Sequence, residues 1–217
     1  MSHTTMILGQ SGTGKSTSLR NLDPAKCLLI QPLKKPLPFR SGDWKPITKE
    51  DKTGSVFVTD SSAVICKAIA ATDREIIIID DFQYVMANEF MRRTDEKGFD
   101  KFTEIGRHAH DVLMAAINAP DHKRVYILSH TQESDNGRTS IKTIGRMLDE
   151  KITLEGMVTI CLQTAVINDT YVFTTRNNGN NTVKAPMGMF DDDHIPNDLA
   201  AVDAAICAYY GITTTAN

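Results

Sequence analysis

Four consecutive isoleucines, Ile76 to Ile79, run straight into Asp80-Asp81. A β-strand turns alternate side chains to opposite faces, so an unbroken apolar run must be covered on both sides. A central strand of a parallel sheet with helices on each face meets that condition. Shorter runs of the same kind recur at Met6-Ile7-Leu8, Cys27 to Ile30, Val56-Phe57-Val58 and Val125 to Leu128. Helical periodicity lies between them. Phe102, Ile105, Ala109, Val112, Leu113 and Ala116 predict a helix over about Lys101 to Asn118, with Pro120 just beyond its end. Ser61 to Ala71 reads as another, capped by Ser61 or Ser62, with Val64, Ile65, Ala68 and Ile69 on one face. Ile144, Met147 and Leu148 suggest a further helix.

The C-terminal part changes character. Met157 to Val166 reads as a strand and Tyr171 to Thr175 as its hairpin partner, because Asn168-Asp169 is turn chemistry. Asn177 to Asn181 is a polar tip. A last helix, Asp198 to Tyr210, is followed by Gly211. The expected fold is α/β: a mostly parallel sheet flanked by helices, with a C-terminal antiparallel hairpin extension. One domain is expected over residues 1–217, with a core of about 5–166 and the hairpin and helix at about 167–211.

Charge narrows the partners. The chain has 217 residues, 24 basic and 27 acidic, for a net charge of -3. No global positive field holds nucleic acid or an anionic membrane, so any such binding needs a local patch. The most basic stretch is Pro-rich: Lys34, Lys35, Arg40, Lys45 and Lys49 stand against Asp43 alone, and its role is left open. Cys27, Cys66, Cys161 and Cys207 are scattered through apolar runs, which argues for reduced buried thiols rather than a zinc site. The first residues resemble no signal peptide, and no apolar run approaches the ~20 residues that span a bilayer. A cytoplasmic location without a membrane partner is expected.

One motif carries chemistry. Gly9-Gln10-Ser11-Gly12-Thr13-Gly14-Lys15-Ser16, continued by Thr17, fits G-x-x-x-x-G-K-[ST] between a strand and a short helix at about Lys15 to Asn21. Glycines let successive backbone N–H groups turn inward around phosphate oxygens. Lys15 suits the β- and γ-phosphates, and the Ser16 hydroxyl suits Mg²⁺. The expected ligands are therefore ATP and Mg²⁺. Asp80, at the tip of a buried strand, suits the metal's second anchor. Asp81 either activates water or caps the helix that follows. His130 ends the next strand, where a polar side chain can sense the terminal phosphate. His108 and His110 read as helix-surface residues.

Two loops leave the same edge, Met91 to Lys101 and Thr131 to Thr143. They carry Arg92, Arg93, Lys97, Arg138 and Lys142 as candidate DNA contacts, interleaved with acids and with few base-stacking aromatics. Sequence physics leaves DNA binding open.

The segments GQSGTGKSTSLRNL, KKPLPF, IIIIDDFQYVMANEFMRR, FDKFTEIG, ILSHT, KTIGRMLDEKITLEGM and APMGMF resemble the bacteriophage AAA-type/RecA-like ATPase family, over about residues 6–210. The resemblance implies a RecA-like core and ATP-dependent action on single-stranded DNA beside phage recombination or replication proteins. It maps the phosphate loop to Gly9 to Ser16 and the Walker-B acid to Asp80. It implies oligomers with ATP between subunits, for which Arg176 and Lys184 are candidate trans-acting cations. RecA-like recombinases usually carry a catalytic Glu where this chain has Gln31-Pro32, a departure that either removes efficient hydrolysis or hands the base role to Asp81. Two other readings stay open: a non-hydrolysing nucleotide-dependent switch or loader, and a small-molecule or nucleotide kinase.

Overall fold

A computed structural model describes residues 1–145, 148 and 151–214. Its strands join in one sheet. They are β1 (His3–Gly9), β2 (Cys27–Gln31), β3 (Val56–Val58), β4 (Ile76–Asp80), β5 (Arg124–Glu133), β6 (Thr139–Ile141), β7 (Ile160–Ile167), β8 (Thr170–Thr174) and β9 (His194–Pro196). The order is β3-β2-β4-β5-β1-β7-β8-β9, with β6 paired to β5. Strands β3 through β7 in that order are parallel, and β8, β9 and β6 are antiparallel.

The isoleucine run shows why this layering forms. Ile77 and Ile79 face one core with Met6, Leu8, Val125 and Ile127, under α1 (Ser62–Ala71), α2 (Gln83–Arg92) and α3 (Asp100–Ile117). Ile76 and Ile78 face the other with Ile7, Leu29 and Tyr126, covered by α4 (Leu199–Tyr210) and by Leu19 of a 3₁₀ turn at Ser16–Asn21. Taking each fully buried isoleucine side chain out of water contributes roughly 1.5–3 kcal/mol.

Local signals set several boundaries. Asn168 and Asp169 both have positive φ, 48° and 60°, as a two-residue hairpin turn requires. The Asp198 side chain accepts from Ala200 N and starts α4, and Gly211 ends it in the left-handed conformation.

The short helix after the glycine-rich loop is present and takes the 3₁₀ form, over Ser16–Asn21. Other expectations are corrected. Ser129 and His130 lie inside β5, because Thr131 to Glu133 are drawn into pairing with Thr139 to Ile141. Val64 is exposed, since α1 buries only Ile65 and Ile69. Cys66 is only half-buried, whereas Cys27, Cys161 and Cys207 are buried; all four are free thiols. His108 is not a bare surface residue: its Nδ1 lies 2.8 Å from Glu89 Oε2. The helix suggested by Ile144, Met147 and Leu148 falls partly outside the described residues. Among the described residues, no helix is long and apolar enough to cross a membrane.

Candidate functional site

Parallel register brings the motifs together. Gly9 stands beside His130 across the β1–β5 ladder, and Asp80 beside Leu128 across β4–β5. The glycine-rich loop, the paired acids and His130 thus share the carboxyl ends of three neighbouring strands, where ligands bind in open α/β sheets. A cavity of about 630 Å³ opens there, lined by the Gln10–Thr17 loop together with Lys35, Asp81, Tyr84, His130, Lys142 and Tyr171. That volume suits a nucleotide-sized ligand.

The loop's shape depends on its glycines. Gly12 and Gly14 have φ of 80° and 95°, where a side chain would strain the backbone. Gly9 is needed for a different reason: a Cβ there would sit 1.9 Å from Thr164 Oγ1 of β7. Thr164 Oγ1 and Thr13 Oγ1 are 2.5 Å apart, and Thr13 also donates to Gln10 O at 2.8 Å, so the turn is braced against β7.

Lys15 is buried and donates from Nζ to Gly9 O at 2.8 Å and to Gln10 O at 2.9 Å. Burial pushes its pKa down, with Asp81 and Asp80 opposing. Ser16 Oγ donates to Asp80, 3.0 Å from Oδ1 and 2.8 Å from Oδ2. The Asp80 carboxyl is pushed up by burial and then by the charge of Asp81. Burial also acts upward on Asp81, but hydrogen bonds from His130 and Lys35 outweigh it and hold Asp81 below the ordinary carboxylate range. Asp81 Oδ2 lies 2.7 Å from Lys35 Nζ and 3.4 Å from His130 Nε2, while Asp81 Oδ1 is buried without a hydrogen-bond partner. The Asp81 side chain does not cap α2; Phe82 occupies the cap position.

The residues present suit a magnesium ion. Asp80 and the Ser16 hydroxyl are hard oxygen donors, and the orphaned Asp81 oxygen points to a missing polar neighbour. Among the described residues no group of three or more His, Cys, Asp or Glu forms a cage. Mg²⁺ takes one or two carboxylates and fills its remaining positions with water and substrate phosphates, so it needs none.

No family model and no curated protein matches this chain.

Other candidates sit elsewhere. Arg92 pairs with Asp60 at 2.6 Å, and Arg93 is held by Glu89, Glu96 and Glu104. Lys97 is exposed, and Arg138 is exposed at the β5–β6 turn. Lys142, read from sequence as a DNA contact, lines the cavity. Arg176 pairs with Asp193 at 2.6 Å and donates to Asp191 O at 2.7 Å. Lys184 exchanges backbone hydrogen bonds with Cys161. Neither lines the cavity.

Lys35 is the residue that sequence reasoning passed over. The KKPLPF segment is visible as basic and Pro-rich, but nothing local says that its second lysine turns inward to an acid 46 positions away. Tyr84 and Tyr171 carried no signal at all.

Proposed function

We propose that this chain binds ATP with Mg²⁺ and hydrolyses it, acting on DNA. The observation that carries the nucleotide reading is the hydrogen bond from Ser16, which lines the cavity beside Lys15, to the buried Asp80. It joins the hydroxyl of the phosphate loop to the strand-tip acid, the two protein oxygens this chemistry asks for around one metal. A bound magnesium ion would neutralise charge on the phosphates. The chain's own groups do the rest. Lys15 and the loop amides would face the phosphates, and Asp80 and Ser16 would hold the metal. Asp81, kept ionised by Lys35 and His130, lines the cavity as the carboxylate that would take a proton from an attacking water.

A RecA-like core is the finer reading of the fold, supported by β5 lying between the phosphate-loop strand and the acid-tipped strand. The DNA part rests on the sequence resemblance. With Arg92 and Arg93 paired to acids within the chain, it leans on Lys97, Arg138 and Lys142, with Phe99 85% exposed nearby in sequence as a stacking surface. Assembly with ATP between subunits belongs to the same proposal.

Gln31 favours one alternative. Its amide is no base, and it is spent on Lys35 O at 3.2 Å. That suits a nucleotide-dependent switch or loader that binds without turnover. Single-turnover hydrolysis with and without single-stranded DNA separates the readings. A DNA-stimulated rate supports the ATPase. Tight binding without turnover supports the switch, and phosphoryl transfer to a nucleoside monophosphate would replace both with a kinase.

A further inference from the structure

The phosphate-loop motif contributes one lysine to the cavity, and the Pro-rich segment after β2 contributes another. Lys35 Nζ lies 2.7 Å from Asp81 Oδ2 and 4.0 Å from Asp80 Oδ2, with its side chain 32% exposed on the cavity wall. Its backbone is anchored. Gln31 Nε2 donates to Lys35 O and Asn88 Nδ2 to Pro32 O, and beyond it Leu37, Phe39 and Trp44 pack on the core. The stem of the loop is therefore held, while the four-carbon side chain can pivot.

We propose that Lys35 binds the terminal phosphate of a nucleoside triphosphate, as a cation supplied from within the same subunit. This rests on the phosphate-loop reading above. Two carboxylates at the strand tip repel an incoming polyphosphate. Lys35 stands among them at the cavity wall, so the anion arriving at Lys15 also meets a second ammonium. Of the cations that sequence offered for a neighbouring subunit's site, Arg176 pairs with Asp193, and neither Arg176 nor Lys184 lines the cavity. A diphosphate lacks the group that Lys35 would touch, so this contact makes the site read the third phosphate.

The test compares affinities for ADP and for a non-hydrolysable ATP analogue, both with Mg²⁺, in wild type, Lys35→Gln and Lys35→Arg. Lys35→Gln is expected to weaken the triphosphate about 10- to 100-fold, the range of one charge-assisted hydrogen bond, and to leave ADP unchanged. Lys35→Arg keeps most of the preference. Equal weakening of both nucleotides would overturn the proposal, because Lys35 would then only support the loop; so would an unchanged ratio. A measurement on the wild-type chain stands beside it. The ATP analogue should shield Lys35 from an amine-reactive reagent, read by mass spectrometry, more than ADP does. Equal shielding overturns the proposal even if Lys35→Gln does not fold. Wild-type protein that binds neither nucleotide fails at the phosphate loop itself, a result distinct from binding both without discrimination.

Discussion

The Ser16 hydroxyl donates to Asp80 across 64 residues of chain, 2.8 Å from Oδ2. A 3₁₀ turn carries one partner and the tip of β4 the other, with β5 lying between β1 and β4. The bond ties the phosphate loop to the acid before any ligand arrives. Replacing Asp80 with Asn should therefore reduce Mg²⁺-dependent nucleotide binding more than Mg²⁺-free binding, as read by paired titrations with and without EDTA. Equal losses would make Asp80 a purely structural acid.

Lys15→Ala should lower nucleotide affinity roughly 10-fold or more, the loss of at least one charge-assisted bond. In wild type, Mg-ATP at 100 times its dissociation constant should stabilise the fold by about 2.7 kcal/mol. Thermal unfolding checks both. A melting temperature indifferent to Mg-ATP in wild type contradicts the site.

The paired acids shift in opposite directions, so their pH signatures oppose. Asp80 binds its proton more tightly in the folded chain than in the unfolded one. Its contribution to stability therefore falls as pH rises from the ordinary carboxylate value through the raised one. Asp81 is held low, so its contribution is present above the unfolded value and is lost as pH falls through the folded one. Without divalent ions at pH 7, Asp80→Asn should be more stable than wild type and Asp81→Asn less stable. Both differences should shrink at low pH. Denaturant unfolding across a pH series measures this, and matching signs for the two variants would refute it.

Gly9→Ala places a Cβ 1.9 Å from Thr164 Oγ1 and 2.8 Å from Thr13 Oγ1. Overpacking of this kind costs about 1–3 kcal/mol. Adding Thr164→Ala should recover part of that loss, so the double mutant should be less destabilised than the two single changes combined. Strict additivity in equilibrium unfolding would mean that the two residues do not collide.

A separate cluster tests the fold alone. Arg124 is buried, and its guanidinium meets Asp203 at 3.0 and 3.1 Å, where Tyr126 Oη also donates at 2.5 Å. Asp203→Ala leaves a buried cation without its main partner and should destabilise by roughly 3–5 kcal/mol. Nucleotide affinity of the protein that remains folded should not change, because the cluster does not line the cavity.

Much of this molecule is written in short stretches of chain. The isoleucine run, the phosphate-loop pattern, Asn168-Asp169 and Gly211 each carry their structural demand within a few residues, through strand alternation, backbone φ or turn closure. The alternating layers and the strand-tip position of Asp80 were readable for that reason. The extension of β5 through His130 was not, because it depends on β6 pairing from across a polar turn.

Charge was the least legible property. Lys34 and Lys35 are neighbours in the same basic segment, yet Lys35 meets Asp81. Arg93, which sequence offered to DNA, is held by three glutamates. A local pattern determines backbone preference and which face of an element is apolar, because those follow from sterics and periodicity. Which acid a flexible cation meets depends on distances that exist only once the sheet has brought remote strand ends together. The amino-acid order alone therefore settled the layers and the glycine-rich turn after β1, and tertiary packing decided how the candidate site is charged.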